Sequence, residues 1–167
     1  MTLFKSRDNR HSSVTAALLL CLFPVITAAS PAFADEITVN ISLIRASDKI
    51  DALSAPDLFA RVTIAGEAFQ TEVVRNRNAA NPNWTVSKRV EAGIHNVKIE
   101  ILDKDVTKNE PVDINRVDNK RDLDFTVDTK SCIIGGFADA FRCGSEIKRE
   151  GQELRKAEIT FTVNAIR

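Results

Sequence analysis

Apolar and polar residues alternate with a period of two along much of this chain, and that alternation most constrains its fold. Four segments show it: Ile37–Leu43, Leu58–Ile64, Leu123–Val127 and Ile159–Val163. Successive side chains of a β-strand point to opposite faces, so each segment is predicted to be a strand with one buried and one exposed face. Further strands are predicted at Ala68–Val74, Val86–Val90 and Val97–Leu102.

Turn residues separate these segments. Ala65-Gly66-Glu67 is typical of a hairpin connection, and Asn81-Pro82-Asn83 is typical of a turn that cannot lie within a central strand. Short strands at this spacing indicate an antiparallel sandwich. No long helix is predicted, although a short helical turn is expected near Ala138–Phe141 or within Ile147–Lys156.

The first 34 residues have the layout of a secretory signal peptide. A basic start precedes the apolar stretch Ala16–Ala29, and Ala32-Phe33-Ala34 supplies an A-x-A cleavage pattern. The stretch is shorter than the ~20 residues that a transmembrane helix needs. Bulky Leu20 argues against the alternative of a lipid anchor at Cys21. We expect removal of residues 1–34, leaving one domain at residues 35–167 that has no membrane span and is periplasmic or secreted.

The composition of residues 35–167 argues against two classes of function. Twenty basic and 22 acidic residues remain there, and a net charge of −2 gives no reason to expect nucleic-acid binding. That part has one histidine, His95, and no G-x-S-x-G, H-E-x-x-H or phosphate-binding glycine motif. The chain is therefore predicted not to be an enzyme.

Two cysteines, Cys132 and Cys143, lie beyond the first 34 residues. In an exported protein such a pair is predicted to form a disulfide, which for a short loop stabilises the fold by about 3 kcal/mol. A metal or redox role is disfavoured, because the chain has no C-x-x-C motif.

Carboxylates crowd into the segment that follows the predicted strand Val97–Leu102. Its acidic residues are Asp103, Asp105, Glu110 and Asp113. Such a concentration of negative charge needs water, basic side chains or a cation beside it, and calcium takes about six to eight oxygen ligands. Asp51 and Asp57 lie between the first two predicted strands, and a sandwich brings distant loops together at one end. These six residues are candidate calcium ligands, and a metal-free acidic loop is the alternative.

Four short motifs resemble those of C2 domains, in the same order. Asp51, followed by Asp57-Leu58-Phe59-Ala60-Arg61-Val62, resembles the first calcium loop of that family, which ends in Asp-Pro-Tyr-Val. Gln70-Thr71-Glu72-Val73 resembles the family's Lys-Thr, and Asn81-Pro82-Asn83-Trp84 resembles its Asn-Pro-x-Trp. Asp103-x-Asp105 resembles its third loop. The resemblance extends from about Ile37 to Asp113.

The resemblance implies an all-β, eight-stranded antiparallel sandwich that binds calcium between apical loops and often docks on anionic phospholipid. The chain departs from the family pattern at Pro111, where a third-loop aspartate is usual, so Glu110 or Asp113 is the expected substitute. Leu58 replaces the usual proline. The segment between Cys132 and Cys143 is not typical of eukaryotic C2 domains and is more similar to an exported bacterial C2-like subgroup.

The expected function is that of an exported, non-catalytic calcium-binding module that docks on an anionic membrane surface or on an envelope protein. The alternative is a metal-independent structural or protein-interaction domain, which would bind its partner through its sheet faces.

A basic group on the predicted middle strands is a candidate phosphate or lipid-headgroup site. Its members are Arg75, Arg77, Lys88, Arg89 and Lys98. Arginine suits bidentate contacts with phosphate, and some C2 domains bind headgroups with an equivalent patch. Alternation is expected to place Lys88 and Lys98 on polar faces. The alternative is a solvated face whose charge is balanced by acidic residues elsewhere.

Overall fold

The computed structural model of this chain describes residues 34–50 and 54–167, which form two antiparallel β-sheets packed face to face. The signal peptide predicted for residues 1–34 lies outside the described residues except for Ala34, and so does Asp51. In the described part of the chain, no helix has the length and apolarity that crossing a membrane requires.

Twelve strand segments lie within the described residues. They are β1 (Asp35–Ala46), β2 (Leu58–Ile64), β3 (Glu67–Gln70), β4 (Ala79–Ala80), β5 (Trp84–Val90), β6 (Ile94–Asp103), β7 (Glu110–Val112), β8 (Leu123–Asp128), β9 (Ile133–Gly135), β10 (Phe141–Arg142), β11 (Ile147–Glu150) and β12 (Ala157–Ile166). One sheet has the order β11-β12-β1, and the far edge of β1 pairs with β5 and then with β4. The other has the order β10-β9-β8-β6-β2-β3, and β7 pairs with the end of β6.

The alternating residues form the core between the two sheets. On β1, Ile37, Val39 and Ile41 are buried, and their register partners on β12 include Phe161 and Val163. Burial of such side chains against the opposite sheet stabilises the fold by roughly 1.5–3 kcal/mol for each residue. The antiparallel all-β sandwich that the alternation predicts is therefore confirmed. The segments outnumber the eight expected strands because several are edge pairings of only two to four residues.

Two local predictions have clear outcomes. The disulfide between Cys132 and Cys143 is confirmed, and it joins the residue before β9 to the residue after β10. The predicted helical turn is wrong, because Ile147–Glu150 pairs with β12 and Phe141–Arg142 pairs with β9. Strand pairing satisfies the backbone groups of these segments with partners that are distant in sequence, which overrides local helix propensity.

Candidate functional site

Several loops meet at one end of the sandwich, which we call the apical end. It comprises residues 47–50, 54–57, 104–109, 113–122 and 151–156. Backbone hydrogen bonds join these loops, including one from Lys104 N to Asp57 O at 2.9 Å and one from Ser47 N to Lys156 O at 2.9 Å. The hairpin geometry of β6 with β7 and of β11 with β12 thus brings acidic residues from distant positions to one surface.

Asp57 and Asp103 lie side by side at the apical end, as the calcium hypothesis requires. The backbone N–H of Asp57 donates to Asp103 Oδ1 at 2.8 Å, and the carboxylate of Asp57 accepts a hydrogen bond from Asn76 N at 2.8 Å. Asp103 is buried, whereas Asp105 is exposed on the loop that follows β6. In both the buried Asp103 and the half-buried Asp57, one carboxylate oxygen therefore accepts a hydrogen bond from a backbone amide.

An arginine provides positive charge within this acidic group. The guanidinium of Arg155 pairs with Glu110 through Nη1, and its Nη2 lies 3.5 Å from Asp103 Oδ2. Glu110 and Asp103 are register partners on β7 and β6, so one guanidinium spans both carboxylates. The planar fork of arginine suits such paired contacts. Arg155 therefore does part of the neutralisation for which the sequence suggested calcium.

Asp113 contacts this ion-pair group only through its backbone, because Asp113 N donates to Arg155 O at 3.0 Å, and its carboxylate is engaged by backbone amides instead. Oδ1 accepts from Asn115 N at 2.9 Å, while Oδ2 accepts from Gln152 N at 2.9 Å and Glu153 N at 2.7 Å. The residue is fully buried, and an isolated parallel bridge links it to Lys156. Asp113 thus ties the loop after β7 to the loop between β11 and β12.

The described residues do not fit a calcium ion as they stand. Asp51, one of the proposed ligands, lies outside them. Among the residues that the structure describes, no group of three or more acidic, histidine or cysteine side chains is arranged to hold a metal. The chemistry of the donor set explains this arrangement, because the Asp103 and Glu110 carboxylates face a guanidinium and the Asp113 carboxylate faces three amides.

Three large apolar side chains are exposed on the apical loops, and the least exposed of them, Val117, is 56 % exposed. Val106 is fully exposed on the loop after β6, and Leu154 is 78 % exposed on the loop after β11. Lys104 and Lys108 flank Val106, and neither makes an ion pair within the described residues. An apolar tip beside two cations that form no ion pair within the described residues suits the interface of an anionic membrane, although the exposed Asp105 lies between Lys104 and Val106.

The structure does not bring the five predicted headgroup-binding residues together. Arg75 and Arg77 are exposed on the loop after β3, near Pro56 and Asp57 at the apical end. Arg89 is exposed on the outer face of β5 and is the register partner of Glu36 on β1.

Lys88 and Lys98 belong to different sheets. Lys98 faces outwards from β6, as expected, and pairs with Asp122 at 2.5 Å and Glu100 at 3.6 Å. The hydrogen bond to Asp122 is the main reason that the pKa of Lys98 is raised. Lys88 is not on a polar face, which corrects the expectation. It lies opposite Ile37 on the inward side of β5, and its ammonium donates to the carbonyls of Ile64 and Ala65 at 3.1 Å.

Sequence reasoning missed Arg155 and Leu154. Both fall in Ile147–Lys156, for which the sequence predicts a helical turn, and the structure instead places them in the loop between β11 and β12. The only sequence signal is an isolated leucine within a charged run. The pairing of Arg155 with Asp103 depends on strand register and cannot be read from local spacing.

No protein-family model and no curated protein matches this sequence. Solved structures do match its fold. One is the structure of a C2 domain, with 10% sequence identity and a TM-score of 0.55, and the match covers 80% of this chain and 99% of that one. A calcium-bound structure of the two C2 domains of Extended-Synaptotagmin 2 matches with 13% identity and a TM-score of 0.52, over 78% of this chain and 45% of that one.

Human GIVD cytosolic phospholipase A2, in complex with an inhibitor, matches with 14% identity and a TM-score of 0.54. The match covers 79% of this chain but only 17% of the phospholipase, so the chain corresponds to a small part of that protein. At these identities the likeness shows the fold alone. The C2-like fold implied by the motif resemblance is thereby confirmed, whereas calcium binding stays a prediction.

Proposed function

We propose that this C2-fold chain is an exported, non-catalytic docking module that binds an anionic phospholipid surface with its apical end and does not require calcium to do so. Export follows from the signal-peptide layout of residues 1–34, and a periplasmic or secreted location follows from export. Calcium and an envelope protein partner are the two other expectations from the sequence, and the experiment below distinguishes them.

The pairing of Arg155 with both Asp103 and Glu110 is the observation that carries calcium independence. A bound calcium ion would have to displace a guanidinium from a buried carboxylate. Taking a charge out of water costs several kcal/mol unless a partner compensates it, so the displaced arginine needs a new partner or full exposure to solvent. Positive charge supplied by Arg155 instead orders the loops at every calcium concentration.

The charge arrangement of the apical end supports an anionic surface as the partner. Part of its negative charge is engaged within the protein: Asp113 accepts from three backbone amides, Glu153 accepts from Asn119 N, and Glu110 pairs with Arg155. Beside Val106, the two exposed cations Lys104 and Lys108 outnumber the one exposed carboxylate, Asp105. Each cation near an anionic membrane contributes about 1 kcal/mol, and the exposed valine and leucine add apolar burial.

Sedimentation with vesicles tests this proposal. The purified protein is mixed with vesicles of phosphatidylcholine, with or without phosphatidylglycerol, in EDTA or in millimolar calcium. We expect binding to the anionic vesicles in EDTA, no increase with calcium, and a steep loss at high salt because surface charges are screened. Binding that appears only with calcium would contradict calcium independence, and no binding in any condition would contradict membrane docking and favour a protein partner.

A matched pair of variants locates the surface. The double substitution Val106→Ser/Leu154→Ser removes the two most exposed apolar side chains of the apical end and is expected to weaken vesicle binding about tenfold. Ile94→Ser/Ile166→Ser is the control, because these side chains are 71 % and 61 % exposed at the opposite end of the sandwich. Equal weakening by the two double variants would show that the apical end is not the docking surface.

A further inference from the structure

A cavity of about 350 Å³ opens beside the edge of the sheet that contains β8. The loop before β8, the residues after β9 and the strand β11 enclose it. Its apolar lining includes Leu123, Val117 and Phe137, and its cationic lining comprises Arg116, Lys120 and Arg149. The volume is within the range of roughly 300–1,000 Å³ that is usual for small-ligand sites.

Phe137 contributes the phenyl ring of the cavity lining, and a chain of tilted and edge-on ring contacts continues behind it. The ring centroids of Phe161 and Phe125 lie 5.9 Å apart, those of Phe125 and Phe137 5.3 Å, and those of Phe137 and Phe141 5.8 Å. The rings therefore connect the buried core to the cavity. Gly136 has a φ of +100°, and a Cβ there would lie 2.9 Å from Phe125 Cα, so only glycine lets this segment approach β8 so closely.

Arg149 lies over these rings without a carboxylate partner. Its Cζ is 4.5 Å from the centroid of Phe137 and 5.2 Å from that of Phe141. Within the described residues it makes no ion pair, and its Nη1 donates to Lys148 O at 2.7 Å. Burial, followed by the like charge of Arg116, lowers the pKa of Arg149, while Asp139 opposes the effect.

The exposed Arg116 and the half-buried Arg149 line the same cavity, so an anion bound there would offset the repulsion between their guanidinium groups. Arg116, Lys120 and Arg149 line the cavity together with Asp124 and Asp139, so the cations outnumber the acids by one. Guanidinium groups match phosphate oxygens in bidentate geometry, and the phenyl, leucine and valine side chains match an apolar group. We propose that this cavity binds the phosphate group of a phosphomonoester whose ester group is apolar.

Isothermal titration of the purified protein, without vesicles, tests the proposal with four probes. Hexyl phosphate is expected to bind with a dissociation constant below about 1 mM, and inorganic phosphate, which lacks the apolar group, at least about tenfold more weakly. Hexanoate tests the charge and shape of the anion, and equal affinity for hexanoate would overturn the assignment of phosphate. Monomeric dihexanoyl phosphatidic acid distinguishes a lipid ligand from a soluble one. Tighter binding of this lipid than of hexyl phosphate would identify the natural ligand as a lipid, and weaker binding would identify it as a soluble phosphate ester. Failure of both phosphomonoesters to bind would overturn the site.

The cavity shares the loop 113–122 with the apical end, and variants separate it from the exposed side chains Val106 and Leu154. Arg149→Gln is expected to weaken hexyl phosphate binding at least tenfold, and Arg116→Gln, at an exposed position, gives a second test if the first variant folds poorly. Arg142→Gln on the neighbouring strand β10 is the matched control and should bind normally, because Arg142 does not line the cavity. The Val106→Ser/Leu154→Ser variant should also bind hexyl phosphate normally, because neither side chain lines the cavity, so failure of the cavity and failure of vesicle docking through these side chains are distinguishable. Unchanged affinity in both Arg149→Gln and Arg116→Gln would overturn the assignment.

Discussion

Replacement of Asp113 by asparagine distinguishes a structural carboxylate from a metal ligand. In the wild type, three backbone amides at 2.7–2.9 Å donate to the two carboxylate oxygens, and the residue is fully buried. Asparagine has one carbonyl oxygen, which can face Gln152 N and Glu153 N. The side-chain NH₂ of asparagine then faces the backbone N–H of Asn115. Both groups are donors, so no hydrogen bond forms between them.

The magnitude follows from these three contacts. A hydrogen bond to a charged group contributes about 1.5–3 kcal/mol and one between neutral groups about 1 kcal/mol. The asparagine loses one hydrogen bond to a charged oxygen and weakens the other two. Its neutral side chain costs less to desolvate, but this gain is smaller than the loss, so we expect Asp113→Asn to destabilise the fold by about 3 kcal/mol. For a domain of this size that lowers the melting temperature by about 10 °C.

Thermal unfolding in EDTA and in millimolar calcium measures the effect. The destabilisation should be the same in both buffers, because amides and not an ion hold the carboxylate. Asp105→Asn is the control, since Asp105 is exposed on a nearby loop and its replacement should change stability by less than about 0.5 kcal/mol. A deficit of Asp113→Asn that appears only in calcium would refute the structural role and identify a metal ligand.

The remaining predictions concern the ion pair, the disulfide and the cavity wall. Arg155→Gln leaves the buried Asp103 without the Arg155 cation and should destabilise the fold by about 2–4 kcal/mol. Millimolar calcium should restore part of this stability in the variant. No response to calcium would show that the guanidinium does not occupy the place of a calcium ion. Cys132→Ser/Cys143→Ser should cost about 3 kcal/mol in denaturant unfolding and weaken hexyl phosphate binding, because Phe137 and Phe141 lie within the closed loop. Gly136→Ala should cost more than Gly66→Ala, since both positions have positive φ but only the Cβ at 136 would meet other atoms within 4 Å; equal costs would mean that the close approach to β8 is unimportant.

Period-two alternation is sufficient to predict the sandwich. Long strands such as β1 and β12 repeat the pattern several times, and burial of one face fixes their register. Segments of two to four residues carry no such period. For that reason β11 falls in a segment for which the sequence predicts a helical turn, although its backbone pairs with β12.

The apical acidic group could be predicted in part. Loop position predicts the proximity of Asp57 and Asp103, because both flank the paired strands β2 and β6. The role of Asp113 could not be predicted, since two of the three amides that its carboxylate accepts from lie 39 and 40 residues away along the chain. Arg155 lies 45 residues from Glu110, and only the register of β7, β11 and β12 brings them together. Lys88 shows the same effect, because its acceptors belong to the opposite sheet.

Calcium titration of the wild-type protein, followed by thermal unfolding, shows directly whether Arg155 supplies the positive charge that neutralises the apical carboxylates. We expect the same melting temperature in EDTA and at every calcium concentration up to several millimolar. A calcium ion bound to the folded state at about a hundred times its dissociation constant would add about 2.7 kcal/mol of stability. A calcium-dependent rise of several degrees in the wild-type melting temperature would show instead that the apical carboxylates bind the metal and that Arg155 does not replace it.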